Sequence, residues 1–498
     1  MTINNQYRKF LIFIIGLIIV VVNIFRFYNL ENVPSGFHVD ELASAATIQC
    51  LATEGVDPLG RKPSLFFQLN FGTPKPPTYI YPGILWAKLF GFSIASFHGF
   101  TAFGYIISLI GLFFLAKIFF FLFLDSKKDN ALSKEKAFLF AIVTMLVASI
   151  SPWMWPFSRI AYESSFVLIF LIWGLYLLFK SNHLLSMIGA GFLFSCAAYS
   201  YPPTRAQLPF MLIFCGVIRH RYKPFCFRNL IVFIITIILF SFPVVIQTLD
   251  GSLQQRFNDI SIFSKDFLSV QGKQGTFFDV LGIFLRNFIL HFNPEFLFVS
   301  GDSNYMHSTH FCGIFSWVDI FALVLGVIFI LMKFFRREKD RESFIKDILF
   351  IFFCFVNILI GMFPSALTTL GIPHALRIMG AWLFMMLLSG FFLYKFIERF
   401  PYVLECVIMI SFIFISLYLR NYFTTYPIKS RGMFSPWTKQ QALAAKTEQD
   451  WLVFMATYSE KVFHLIYYCM NYKPNETCSS CQKKWKIIYD YLHKKNPY

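Results

Sequence analysis

The chain has 498 residues, of which 57% are hydrophobic and only 14% charged, with a mean hydropathy of +0.59. A soluble globular protein is about a quarter charged, so a string of soluble domains is excluded and a polytopic membrane protein is expected. The formal charge of +17 lies mostly in short loops, where it reads as a topology signal and a contact for anionic lipid headgroups, so no nucleic-acid partner is expected.

Arg8-Lys9 precedes a long apolar stretch with no small-residue cleavage site after it. Residues 10–27 are therefore expected to be a retained signal anchor that carries the chain outward. A long outer loop, 28–97, follows. Its apolar stretch 79–90 is short and begins Tyr79-Ile80-Tyr81-Pro82, which suits an interfacial helix. Further spans are expected near 98–123, 137–150, 164–180, 184–198, 206–218, 229–248, 317–333, 347–363, 378–394 and 402–418. A second large outer loop lies at 249–316. The total is about eleven spans, with the N-terminus cytoplasmic and the C-terminus outside.

The chain thus divides into a transmembrane catalytic domain, 1–418, and a small extracytoplasmic cap, 419–498. In the cap Gln441-Ala442-Leu443-Ala444-Ala445 reads as helix and Trp451-Leu452-Val453-Phe454 as strand, so an α/β cap is expected. There is no zinc pattern among the ten cysteines. Cys478 and Cys481 form a lone Cys-x-x-Cys, a weak signal.

This topology sorts the charges. Loops dense in lysine and arginine, such as Arg219-His220-Arg221-Tyr222-Lys223, fall inside. Isolated charges among proline and aromatic residues fall outside: Asp40-Glu41, Lys75, Arg159, Arg205, Asp302, His374 and Arg377. These outer segments are expected to converge on one extracytoplasmic cleft at the membrane surface.

Asp40 and Glu41 begin an apolar run at helical spacing, Leu42, Ala45, Ala46, Ile48 and Leu51. They are a catalytic acid pair or simply an N-cap and a first-turn acid. Lys75, stiffened within Thr73-Pro74-Lys75-Pro76-Pro77, is a phosphate contact or a snorkelling interfacial lysine. Arg159 and Arg205 stand at span ends beside aromatics, where anchoring arginines are common. His374 and Arg377, three apart, share a face if helical, and contact either a phosphate or a lipid headgroup. Asn293-Pro294-Glu295 and Gly301-Asp302-Ser303-Asn304 read mainly as turns. One acid with several cations suits group transfer from a phosphorylated lipid to a hydroxyl. No Gly-x-x-x-x-Gly-Lys-Ser/Thr phosphate loop is present.

These motifs, taken together and in order, resemble the GT-C glycosyltransferases. They include Asp40-Glu41, Lys75-Pro76-Pro77-Thr78-Tyr79, Ser151-Pro152-Trp153 with Phe157-Ser158-Arg159, and Tyr199-Ser200-Tyr201-Pro202-Pro203-Thr204-Arg205. Asn293-Pro294-Glu295-Phe296-Leu297-Phe298 with Gly301-Asp302, and Gly371-Ile372-Pro373-His374-Ala375-Leu376-Arg377, complete the set. The resemblance is to the branch that includes protein O-mannosyltransferases and the aminoarabinose transferase of lipid A, on its bacterial side. It covers roughly residues 30–400.

The resemblance implies an all-α, GT-C-like enzyme of the plasma membrane and cell envelope with an extracytoplasmic active site. It would move a sugar, with inversion, from a polyprenyl-phosphate carrier to a hydroxyl acceptor on a glycolipid, polysaccharide or protein. Asp40 would be the base or acceptor-orienting group, supported by Glu41. Lys75, Arg159, Arg205, His374 and Arg377 would hold the carrier phosphate. No cofactor is required and no metal ligands are assigned. Asp40 and Glu41 can ligate a divalent cation, although no further carboxylates cluster with them in sequence. The loop 249–316 is too short for the β-trefoil of the eukaryotic mannosyltransferases, which puts a protein acceptor in question. The rival readings are a secondary transporter, whose ionisable groups would lie near the bilayer midplane, and a lipid-linked polysaccharide polymerase or ligase.

Overall fold

The structure is a computed structural model. It describes residues 5–66, 68–70, 73–125, 130–335, 341–434, 450, 477–481 and 483. The expected helix at 441–445 and strand at 451–454 lie outside the described residues, as does most of the expected cap.

Fourteen principal helices account for most of what is described: α1 Asn5–Phe25, α2 Val39–Glu54, α3 Pro77–Phe90, α4 Ile94–Phe119, α5 Ala131–Ile150, α6 Val167–Lys180, α7 Leu184–Ser200, α8 Pro202–Tyr222, α9 Phe227–Leu249, α10 Phe277–Leu290, α11 Trp317–Phe335, α12 Arg341–Ala366, α13 Met379–Arg399 and α14 Val403–Thr424. One short hairpin, β1 Gln68–Asn70 with β2 Thr73–Lys75, pairs antiparallel in the register Gln68↔Lys75.

The chain is an all-α polytopic membrane protein. Each apolar run expected to span is helical, and the stretch expected to lie at the interface is α3. Among the described residues, seven helices are long and apolar enough to cross a membrane, and α7 is a shorter apolar helix.

Contacts divide the chain into two compact units. The first comprises 1–26, 104–156 and 166–422, and is built of membrane-length helices. Its centre is α13, whose side chains are nearly all buried from Met379 to Ile397. A helix that is apolar on every face must be surrounded, and small residues let the neighbours close in. A Cβ on Gly361 of α12 would stand 2.5 Å from the Ala381 nitrogen, and one on Gly390 would stand 2.1 Å from Thr144 Oγ1 of α5.

Polar clamps fix the ends of these helices. Arg26 is fully buried, donates to Asn23, Ser149 and Met154, and lies over the rings of Tyr105 and Trp155 at 4.2 and 4.4 Å. Two of the lysines read as a topology signal, Lys395 and Lys333, stand 2.7 and 3.7 Å from the buried Asp347. A third, Lys136, pairs with Glu398.

The second unit comprises 27–103, 157–165 and 423–498. In it α2 packs on α3, and Ile48 of α2 lies where a Cβ on Gly83 would otherwise be. Cys50 of α2 is disulfide-bonded to Cys478. The Cys-x-x-Cys of the tail is therefore not a pair within itself. Glu54 accepts from the backbone nitrogens of Cys478 and Ser479 beside this bond, so the tail is held on the C-terminal half of α2.

Candidate functional site

In the second unit the site is built on the first turn of α2. His38 is the N-cap: its Nδ1 accepts from the Asp40 nitrogen at 3.3 Å, and the Glu41 carboxylate accepts from the His38 nitrogen at 2.7 Å. This reciprocal capping fixes the turn. Tyr162 Oη lies 3.0 Å from the same His38 Nδ1.

The adjacent acids have different environments. Glu41 is fully buried. Its Oε1 accepts from the Ala161 nitrogen at 2.6 Å and lies 2.9 Å from His98 Nε2, while Oε2 takes the His38 nitrogen. The far side of the His98 ring, Nδ1, stands 2.9 Å from the Leu30 carbonyl. A carbonyl only accepts, so the hydrogen bond to Leu30 is donated by Nδ1. Glu41 thus joins three segments of the unit: the turn before α2, the start of α4 and the 157–165 loop. The geometry corrects the expectation of a catalytic Glu41, because its oxygens are enclosed by internal donors and it acts as a positioning residue.

Asp40 faces the other way. Its side chain is 43% exposed, and His38 Nδ1, 3.5 Å from Oδ2, is its neighbouring titratable group. Among the described residues no hydrogen bond ends on this carboxylate. Lys75, at the end of β2, is buried, and its Nζ donates to the Asp40 carbonyl at 3.1 Å. The same ammonium stands 3.7 Å from Glu163 Oε1, and Ser44 Oγ links the Asp40 carbonyl to Glu163 Oε2, each at 3.2 Å. Asp40, Lys75 and Glu163 therefore form one cluster.

Glu163 was not singled out by sequence reasoning. Its signal is a lone acid four residues beyond Arg159 in a loop rich in aromatic residues. Arg159 itself is buried, and Nη2 donates to the carbonyls of Tyr28 at 2.8 Å and Val33 at 2.7 Å, with Phe423 under the guanidinium. It closes the segment that leads into α2. The expected role in phosphate binding does not match this enclosure.

Arg205, His374 and Arg377 belong to the first unit. Arg205 caps the end of α7, donating from Nε to the Ala198 carbonyl at 2.9 Å. Arg377 donates to Thr368 Oγ1 at 2.7 Å and to the Leu370 carbonyl at 2.6 Å, which closes its own loop. His374 faces Asp302 and His307. Asp302 Oδ2 lies 3.1 Å from His307 Nδ1 and 3.7 Å from His374 Nδ1, and accepts from the Ala375 nitrogen at 2.8 Å.

Burial works to raise the Asp302 carboxyl, but the His307 hydrogen bond and charge, then His374 and the Asn304 nitrogen, outweigh it and hold it below its usual range. Burial, then the charges of Arg377 and His307, push His374 well below its ordinary value. Asp302 was read mainly as a turn residue. It does make that turn, with Oδ1 accepting from the Asn304 nitrogen at 2.9 Å, but it also carries the cluster.

No family model and no curated protein matches this sequence. Among solved structures the chain is similar to ArnT from Cupriavidus metallidurans bound to undecaprenyl phosphate, at 10% identity and a TM-score of 0.42, over 95% of this chain and 75% of that one. The apo state of the same protein gives 10% identity and a TM-score of 0.40 over 95% and 74%. It is also similar to the archaeal oligosaccharyltransferase AglB from Archaeoglobus fulgidus, in complex with an inhibitory peptide and a dolichol-phosphate, at 11% identity and a TM-score of 0.43. That match covers 91% of this chain, which spans 58% of the AglB chain.

Proposed function

We propose that this chain is an inverting membrane glycosyltransferase that moves a sugar from a polyprenyl-phosphate carrier to a hydroxyl acceptor at the extracytoplasmic membrane surface. The observation that carries the reading is the division of labour between adjacent acids: Glu41 is enclosed and bonded, whereas the Asp40 carboxylate is accessible and accepts nothing within the described residues. A half-exposed carboxylate on a capped helix turn, with no hydrogen bond to it among the described residues and a histidine 3.5 Å away, is poised to receive a proton.

In the step proposed, the acceptor oxygen forms a bond to the anomeric carbon from the face opposite the carrier. The bond from that carbon to the phosphate oxygen breaks, and its electron pair leaves with the phosphate. The hydroxyl proton passes to Asp40. Charge grows on the departing phosphate, and a fixed cation nearby stabilises that growth. Lys75 is the cation beside Asp40, and Glu163 and the Asp40 carbonyl hold it in place.

The disulfide between Cys50 and Cys478 supports an extracytoplasmic side, because such bonds persist in oxidising compartments. Both cysteines lie in segments read as outer. The test is transfer from radiolabelled polyprenyl-phosphate sugars, pentose and hexose, in membranes containing the chain. Label is expected in a glycolipid or polymer product only when the chain is present. Equal labelling in membranes without it would overturn the proposal.

A further inference from the structure

We propose that Asp302, His307 and His374 form a divalent-cation site of the zinc type in the first unit. The proposal is independent of the transferase reading. One ligand atom from each residue lies within 4.8 Å of the others. The residues come from two loops: Asp302 and His307 from the segment between α10 and α11, and His374 from the segment between α12 and α13. Two imidazoles and a carboxylate are a ligand set that zinc takes, with a fourth position left for water.

The spacing fits. Four ligands at ~2.0 Å around a tetrahedral ion stand ~3.3 Å from one another. Asp302 Oδ2 is 3.1 Å from His307 Nδ1 and 3.7 Å from His374 Nδ1. For these two pairs the shifts needed are a few tenths of an ångström, and the two imidazole donors lie within 4.8 Å of each other.

Hydrogen bonding within the cluster leaves something unexplained. His374 Nδ1 is buried and has no hydrogen-bond partner among the described residues. Buried polar atoms are almost always satisfied, so this nitrogen wants a ligand that the described residues do not supply. The His374 and His307 rings lie 4.7 Å apart, inclined by 37°, beside the same carboxylate.

An outer layer holds the donors in place, as metal ligands require. The second Asp302 oxygen accepts from the Asn304 nitrogen, and the Asp302 carbonyl lies 2.7 Å from His310 Nε2. The Ala375 nitrogen donates to Asp302, and the Ala375 carbonyl accepts from Trp153 Nε1 at 3.1 Å. Gly301 turns the chain into the cluster at φ +77°, and a Cβ there would stand 2.5 Å from Ser308 Oγ. His291 lies behind: its Nδ1 is 2.9 Å from the Asn287 carbonyl, and its Nε2 is 2.8 Å from Ser365 Oγ and accepts from the His374 nitrogen at 3.4 Å. Its ring nitrogens are used, which leaves the three-residue set as the ligands. An ion here would cross-link the two loops.

The experiment uses the full chain purified in detergent through a tag without histidine, stripped with chelator, dialysed and titrated with Zn2+ or Co2+. We expect about one ion per chain by elemental mass spectrometry, and visible d–d bands from cobalt in a low-symmetry nitrogen and oxygen site. His374→Gln removes the unpartnered nitrogen without breaking a hydrogen bond, and Asp302→Asn removes the charge. Each is expected to weaken binding at least about tenfold. Wild-type protein that binds neither ion below about 1 mM, or binding unchanged in His374→Gln, would overturn the site. The wild-type titration decides alone, so a variant that misfolds does not protect the proposal. Activity is not the readout, so its failure and that of the transferase reading remain separate.

Discussion

Asp40 and Glu41 share a helix turn, yet about 100° of rotation separates neighbouring side chains. One therefore meets His98 and Ala161 while the other meets solvent. His38, and not Asp40, caps α2, and the half-exposed Asp40 carboxylate accepts no hydrogen bond among the described residues, so Asp40→Asn is expected to leave abundance and melting temperature nearly unchanged. Transfer from a radiolabelled carrier should fall ~100-fold to 10,000-fold, the usual cost of losing a general base. Near wild-type transfer would return Asp40 to a surface role. Glu41→Gln should act on stability: an amide cannot accept at both ends, and a mismatched buried donor costs ~1–3 kcal/mol. Its melting temperature should drop, with transfer per folded molecule largely kept. Lys75 and Glu163 form a pair. Lys75→Met leaves Glu163 without its cation and should lower both stability and donor use. Adding Glu163→Gln is expected to restore the melting temperature, because both charges are then removed together, but not the donor use. Recovery of both would show that Lys75 has no part in handling phosphate.

At the scale of elements, the close approach of helices and the fastening of the tail each predict a measurable effect. Gly361 lies against the backbone of α13 at Ala381. Gly361→Val forces the two helices apart, and overpacking of this kind costs ~1–3 kcal/mol; a thermal melt in detergent reads it. The Cys50–Cys478 bond holds residues 428 positions apart in sequence. Cys50→Ser should lower stability by ~2–4 kcal/mol and expose Cys478 to thiol reagents. An unchanged melt together with an unreactive Cys478 would show that the bond is not formed.

For the whole molecule, the expectation is sidedness. The basic loops were read as inside and the Asp40, Arg205 and Arg377 loops as outside. Leu370 is 54% exposed on the loop that Arg377 closes. Leu370→Cys is expected to react with an impermeant maleimide on intact cells, and Lys134→Cys only after permeabilisation. The reverse result would place the Arg377 loop inside and end the model of a single outer face.

The sequence by itself determined the helices, because apolar runs of membrane length have no alternative to satisfying their backbone internally. Their ends were legible to within a few residues: α9, expected at 229–248, runs Phe227–Leu249, whereas α8, expected from 206, starts four residues earlier at Pro202. A helix starting at Asp40-Glu41 was also legible, from the apolar spacing of Leu42, Ala45, Ala46 and Ile48. What only the tertiary structure decided was the fate of each charge. Sequence position could not show that Arg159 faces the Tyr28 and Val33 carbonyls, that Glu41 is enclosed by His98, or that Glu163 comes to Lys75 from 88 residues away. Nor could it show that Cys478 reaches Cys50, or that His374 meets Asp302 across 72 positions. The reason is physical: hydrophobicity is a local property that accumulates along a run, whereas the environment of a polar group depends on partners brought from distant segments only when the chain has folded.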